Sequence, residues 1–319
     1  MIIPRPQRRE PAIGHGRGYA VKRSLAFAAI YLVWGSTYLA IRYSVETIPP
    51  LMTAGIRFSV AGIVLLAWAC ARGFRPQREH WVAGSVVGAL FFLVSHGMLY
   101  WAEQTVASGL AALLIATEPM FILVLGWLAG QQKISPLSAL GLGLGVLGVG
   151  LLTGAELAMR NSSILGLAAV LLASVSWAAG VVLSSRLRLP ADALARTAIP
   201  LVCGAMMLLI AAGVSGEFHR VHWSTVSLRS LLGLAYLIVF GSVVAFTAYT
   251  WLLQQCPPTL VATHTYANPV VAVFLGWMFA SEPLNARVVM ASVAILGAIA
   301  LIRRGETRGG ATGRSAVGG

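Results

Sequence analysis

The feature that most limits how this chain can fold is a set of long stretches without a single Asp, Glu, Lys or Arg: 81–102, 134–155, 161–185, 197–216 and 230–281. A helix crosses the hydrocarbon core of a bilayer with about 20 apolar residues, and each of these stretches is long enough. The last holds two such helices, with Gln254-Gln255-Cys256-Pro257-Pro258 as the turn between them. Only 10% of the 319 residues are charged, against roughly 25% in a soluble domain. The fold class that follows is all-α integral membrane.

The hydropathy pattern predicts ten spans near 24–44, 51–71, 81–102, 106–130, 136–155, 164–185, 194–214, 229–253, 259–280 and 284–303. Residues 1–23 form a basic tail, and 304–319, rich in Gly, Arg and Ser, reads as a disordered one. The first apolar segment reads as a retained signal anchor rather than a cleaved leader. A net charge of +13 does not point to nucleic acid, because the basic residues sit in tails and short loops. They alternate in density instead. Six precede the first span, and Arg72, Arg75, Arg78, Lys133, Arg186, Arg188, Arg196, Arg303, Arg304, Arg308 and Arg314 fall on the same side. The other side has Arg42, Arg160, Arg220, Arg229 and Arg287. By the positive-inside bias both termini are cytoplasmic.

A repeat is visible as well. Residues 100–127 laid over 250–277 match Trp101 with Trp251, Gln104 with Gln254, Pro119 with Pro269, and Leu125-Gly126-Trp127 with Leu275-Gly276-Trp277. Trp34 and Trp177 correspond in the same way, with a small change in loop length. The unit is five helices, 24–155 and 164–303. An odd number of spans turns the second copy upside down, as in the inverted repeats of many secondary transporters.

Trp34-Gly35-Ser36-Thr37-Tyr38, Pro49-Pro50-Leu51-Met52 running into Gly55-Ile56-Arg57-Phe58, Asn268-Pro269, and Ser281-Glu282-Pro283-Leu284 resemble the EamA-domain branch of the drug/metabolite transporter superfamily. Within it they are similar to the YedA-type exporters, over roughly 24–303. The resemblance implies ten helices as two inverted EamA repeats around a central cavity, in a bacterial inner membrane. It further implies export of amino acids, other metabolites or toxic compounds. Gln131-Gln132-Lys133 departs from the family, which often has an acidic residue there.

Glu118 is the acidic residue that must lie well inside a span, and Arg57 the corresponding base. Glu118 is a substrate- or proton-binding carboxylate, the partner of Arg57 in an intramembrane ion pair, or part of a polar cavity wall. The second repeat has Asn268 where the first has Glu118, so symmetry supplies no second carboxylate. His96 and His264 are the intramembrane histidines, each a candidate proton relay or a neutral hydrogen-bonded ring. Trp34, Tyr38, Trp177 and Tyr266 lie deep enough to line the implied cavity. Trp101, Trp127, Trp251 and Trp277 sit near span ends, where interfacial belts form. Pro119 and Pro269 would kink their helices and free carbonyls toward a cavity. The glycines of 141–154 suit close helix approach.

No phosphate-binding loop, paired intramembrane aspartates, H-E-x-x-H helix or metal-ligand spacing is present. The reading is therefore a secondary transporter without cofactor or metal, exporting a small organic solute by alternating access. Protons are a candidate coupling ion and a homodimer a candidate assembly. A proton-independent facilitator, an importer and a membrane-embedded enzyme are the alternatives.

Overall fold

The computed structural model describes residues 17–131, 134–159, 163–255, 261 and 264–315; these form helices and turns, with no strand among the described residues. In chain order the long helices are α1 (Gly18–Ser44), α2 (Pro50–Ala71), α3 (Arg78–Ala102), α4 (Ser108–Leu128), α5 (Pro136–Met159), α6 (Ile164–Ser184), α7 (Ala193–Val214), α8 (Leu228–Tyr249), α9 (His264–Ala280) and α10 (Ala286–Ser315). Seven of them, α1–α4 and α6–α8, are long and apolar enough to cross a membrane. The other three contain shorter apolar stretches, Pro136–Leu151, Ala267–Ala280 and Ala286–Ile302.

The helix ends are where local chemistry puts them. Pro50 starts α2 at a position whose N–H has no helical partner anyway. Asp192 and Ser227 cap α7 and α8 by accepting from the amides of Ala195 and Ser230. α4 ends on a left-handed Gly130 with Gln131 N–H donating to Gly126 O at 2.8 Å, the Schellman arrangement.

Two boundaries differ from expectation. Helix begins at Arg17, within the segment expected to be a tail, because its extra turns find a partner. Lys22 Nζ lies 4.9 Å above the Trp251 ring, and Tyr19 packs on the same ring at 6.1 Å. At the other end α10 continues to Ser315 rather than giving way to irregular chain after 303. Its Gly305 is buried, close against Ser135 and Ser138 at the start of α5. Residues 1–16 and 316–319 lie outside the described residues.

The main packing partners recur in two sets related by a shift of five helices. α2 packs on α7, α5 on α10 and α4 on α9, each helix against its own counterpart. The contacts α3–α7, α4–α6 and α3–α6 reappear as α8–α2, α9–α1 and α8–α1. Such pairing is what two copies of one five-helix unit produce around a pseudo-two-fold axis. Small residues set the closest approaches, as is usual where lipid supplies no hydrophobic drive between helices. A Cβ on Gly88 would fall 2.6 Å from Pro200 O and 2.8 Å from Gly204 N. In α5, Gly141 and Gly148 meet α10 in this way and Gly145 meets Met120 of α4, whereas a Cβ added at Gly150 would meet nothing within 4 Å.

The two prolines are not used alike. α4 is broken at Ala116–Thr117, immediately before Glu118-Pro119, and two shorter helices flank the break. Leu114 O there accepts from Thr117 N–H, Thr117 Oγ1 and Ser174 Oγ. α9, by contrast, runs without interruption through Pro269. The helix is thus interrupted beside Pro119 and continuous through Pro269.

Candidate functional site

Two helices in equivalent positions, α3 and α8, widen to π-helical turns at Ala89–His96 and Leu237–Val244. A π turn withdraws carbonyls from the regular ladder and recurs at functional sites. Here carbonyl oxygens of both turns meet side chains. Gly241 O accepts from Trp34 Nε1 at 3.1 Å and from Arg57 Nη2 at 3.3 Å. Leu90 O accepts from Ser176 Oγ, and Phe91 O pairs with His96 Nδ1 at 2.8 Å.

Beside each π turn stands a ring cluster that joins the two repeats. In one, Trp34 of α1 contacts Phe246 at 5.4 Å, Tyr249 at 5.2 Å and His264 at 4.9 Å between ring centres. In the other, Trp177 of α6 stacks on Phe91 at 4.1 Å and meets His96 edge-on at 5.6 Å. His96 and Phe246 are 150 residues apart, the spacing of the repeat. The Trp177–His96 and Trp34–Phe246 contacts are therefore one contact made twice, both edge-to-face (60° and 71°). Edge-to-face rings hold each other's orientation through their quadrupoles. The structure thus brings together Trp34 with His264, and Trp177 with His96, as two boxes.

Arg57, 4% exposed, lies between the repeats. Its guanidinium donates from Nε to Ser242 Oγ at 2.9 Å, from Nη1 to Tyr100 Oη at 2.9 Å, and from Nη2 to Gly241 O. Tyr100 and Ser242 are themselves fully buried. Arg57 therefore does not pair with Glu118, and the intramembrane ion pair considered from the sequence is not formed. Its charge is spread over neutral acceptors, which a planar five-donor group can do and a point-charge ammonium cannot. Glu118 sits half-buried at the break in α4, in no ion pair among the described residues. Tyr38 lies within electrostatic reach of both Glu118 and Glu103. Asn268, with its amide oriented to satisfy both neighbours, donates to the main-chain oxygens of Tyr31 at 3.2 Å and His264 at 3.0 Å. It ties α9 to α1 rather than repeating the role of Glu118. The side chain of Tyr266 is outside what the structure describes.

Sequence reasoning missed a polar cluster at the end of the bundle that carries the connections 45–49, 103–107, 215–227 and 281–285. Glu282, only 8% exposed, accepts from Ser108 N–H at 2.7 Å, Ser108 Oγ at 2.8 Å, Gly109 N–H at 2.9 Å and Arg42 Nη1 at 2.7 Å. It places a carboxylate on the N-terminus of α4, where orphan amides and the helix dipole favour an anion. The chain reaches this point through Ser281 at φ 53°, a left-handed conformation uncommon outside glycine. Glu217 serves α2 in the same manner, accepting from Met52 N–H at 2.8 Å. Tyr43 Oη donates to Phe279 O at 2.8 Å, and Ser230 Oγ to Tyr43 O at 2.7 Å. Repeat 1 and repeat 2 are thus laced together at this carboxylate end.

Glu103 belongs to the same cluster. It is 2% exposed, and neither carboxylate oxygen has a hydrogen-bond partner. Burial, then the neighbouring Glu282, push its carboxyl well above the usual carboxylate range, against the opposing pull of the Arg42 guanidinium, the nearby Arg42 main chain and Arg57. Its signal in the sequence was the tetrad Trp101-Ala102-Glu103-Gln104, where an acid follows an apolar run directly and so could be drawn under the helix ends.

Among the described residues no group of three His, Cys, Asp or Glu is placed to hold a metal. Two open clefts lie on the outside of the bundle, an apolar one along Leu140–Leu147 of α5 and a polar one around Arg78, Glu79 and Arg188. Neither touches the ring boxes, which are packed.

Repeated five-helix units, apolar helices long enough to span a bilayer, and a buried polar and aromatic seam between the halves define a polytopic membrane protein of two-repeat design. The chain belongs to the EamA-like transporter family, whose model matches it twice, over residues 23–154 and 164–304. It is 38% identical over 283 residues to the uncharacterized inner membrane transporter YedA of Escherichia coli (strain K12), covering 88% of this chain and 90% of that one. The uncharacterized transporter YoaV of Bacillus subtilis (strain 168) is 26% identical over 278 residues, or 86% and 94% of the two chains. A solved crystal structure with 21% identity superposes with a TM-score of 0.61 over 89% of this chain and 97% of its own, and shares the fold.

Proposed function

We propose that this protein is a secondary transporter of a bacterial inner membrane that exports a small organic solute by alternating access. In this reading ten helices span the bilayer as two inverted repeats, 24–155 and 164–303, with both termini in the cytoplasm. The arginine-rich connections then face the cytoplasm and the carboxylate end faces outward. The observation that carries the reading is the doubled ring box. One tryptophan–ring contact occurs in each repeat-related position, on either side of a buried arginine held by a π turn. Exchange of such contacts between two equivalent arrangements is how a pseudo-symmetric pair of repeats opens to one side and then the other.

The solute class follows from the walls. Aromatic faces with a few fixed polar groups suit amphiphilic or aromatic organic molecules, and the half-buried Glu118, within electrostatic reach of Tyr38, suits one with an amine. Trp34, Tyr38, His96, Trp177 and His264 supply the walls, and Arg57 positions them through Tyr100 and Gly241. The chemistry is binding and release, with no bond made or broken, so this is not an enzyme. Counterflow of labelled amino acids and of cationic dyes into vesicles holding the purified protein tests the reading. Accumulation that Trp34→Ala and Trp177→Ala each reduce supports it. No accumulation of anything in a broad panel, from protein shown to be folded, counts against it.

A further inference from the structure

Two acids of the buried polar cluster at the carboxylate end, Glu282 and Glu103, are treated differently: the donors around α4 go to Glu282. Glu282 takes the Arg42 guanidinium, two main-chain amides of α4 and the Ser108 hydroxyl. Four donors around one carboxylate stabilise its anion. Glu103 has none within bonding geometry, although it is the more buried of the two; the Arg42 main chain lies near enough to favour its anion but is outweighed by burial and by Glu282. An unpaired carboxylate anion out of water is among the most costly things a protein can hold, and the usual resolution is to take up a proton. A second anion alongside raises that cost further.

The other charged and titratable groups around Glu103 do not rescue it. Arg42, on α1, is spent on Glu282. Arg57, on α2, is spent on Tyr100, Ser242 and Gly241. Tyr38 on α1 and Tyr100 on α3 also lie within its electrostatic reach, but a phenol offers no compensating charge.

We propose that Glu103 is a proton-binding site of the transport cycle, occupied while the carboxylate end is closed and vacated when that end opens to water. The closed arrangement removes water from Glu103 by bringing Glu282 and the 281–285 connection of repeat 2 onto α4 of repeat 1. Parting these elements hydrates Glu103, and the proton passes to the water that enters. The linkage has a definite sign. The closed end binds the proton more tightly, so closure is favoured at low pH and is lost as pH rises through the closed-state pKa. No other proton carrier is required, which accords with the absence of a second carboxylate opposite Glu118.

This inference rests on the transporter reading, and its test is chosen to separate the two. In a cysteine-free background, Val106→Cys places a thiol in the 103–107 connection, where the parent residue is buried. Its labelling by a membrane-impermeant maleimide, corrected for the reagent's own pH dependence, reads opening of that end without any solute. The expected result is slow labelling at low pH that rises by up to about tenfold per pH unit across one titration. Glu103→Gln, the isostere of the protonated acid, should stay slow at every pH. Infrared difference spectra of the full-length parent across the same pH range should show a protonated-carboxyl band that Glu103→Gln removes. Unchanged pH dependence in Glu103→Gln, or no pH dependence in the parent, overturns the proposal. A pH-dependent, Glu103-dependent opening in a protein that moves no solute would uphold the proton site and refute the transporter reading instead.

Discussion

Replacing Arg57 by Met removes three hydrogen bonds at once and leaves their acceptors in place. Tyr100 Oη and Ser242 Oγ are on fully buried residues, and Gly241 O lies on a π turn where Trp34 Nε1 also donates to it. Hydrogen bonds to a charged group contribute about 1.5–3 kcal/mol each, and stranded buried partners cost about 1–3 kcal/mol. Some of this returns, because the guanidinium no longer has to be desolvated. A net loss of about 3–5 kcal/mol is expected for Arg57→Met, and nearly as much for Arg57→Lys, whose ammonium cannot span three divergent acceptors. The informative assay is a double-mutant cycle with Tyr100→Phe, read by reversible unfolding in mixed micelles. A coupling of about 1.5–3 kcal/mol between the two sites is expected. Additive losses would refute the claim that Arg57 is anchored through Tyr100. A cycle of Arg57→Met with Glu118→Gln should instead be additive within about 0.5 kcal/mol, since those two side chains do not pair.

Other outcomes can be checked on the same preparations. Gly88→Ala should destabilise the protein by about 1–3 kcal/mol, because the added methyl meets main chain at Pro200 and Gly204 rather than a side chain that can move; thermal unfolding without loss would contradict the close crossing. Ser281→Gly should stabilise by about 0.5–1 kcal/mol by relieving the left-handed conformation, and an unfolding shift in the opposite direction would show that the serine does more than turn the chain. Glu282→Gln keeps the shape of the cap but not its charge on α4, so faster hydrogen exchange at Ser108 and Gly109 is the expected signature. Glu118→Gln tests the carboxylate at the break in α4; transport of amine-bearing solutes should fall while neutral ones are spared.

The helices themselves were legible because apolar runs of bilayer length leave the backbone few other solutions. The repeat was legible because tryptophan and proline are rare enough in apolar sequence for a shared register to stand out, as with Trp101 and Trp251. What sequence could not give was azimuth. Arg57 and Glu118 were set together because both are charged and both sit inside spans, yet hydropathy does not say which way either side chain points, and Arg57 turns to α8 instead. Two of its partners there, Ser242 Oγ and the carbonyl of Gly241, sit on a π turn, and no residue type announces that turn. Glu103 and Glu282 were hidden for a different reason. Acids at span ends look solvated when read along the chain, and their burial appears only once the helices are packed, as where Glu282 sits on the start of α4. The doubled ring box lay between these extremes, since Trp34, Trp177, His96 and His264 were singled out but not their pairing.

In alternating access the two repeats exchange which end of the bundle is open. Distances between spin labels test it most directly, with one pair spanning the repeats at the carboxylate end, Trp101→Cys with Trp223→Cys, and one at the arginine-rich end, Arg75→Cys with Arg188→Cys. All four positions are exposed, so the labels need not disturb packing. In membranes containing a transported solute, the account predicts two populations in each pair. Conditions that lengthen the distance at one end should shorten it at the other. A single distance at both ends under every condition, or lengthening at both ends together, would contradict alternating access.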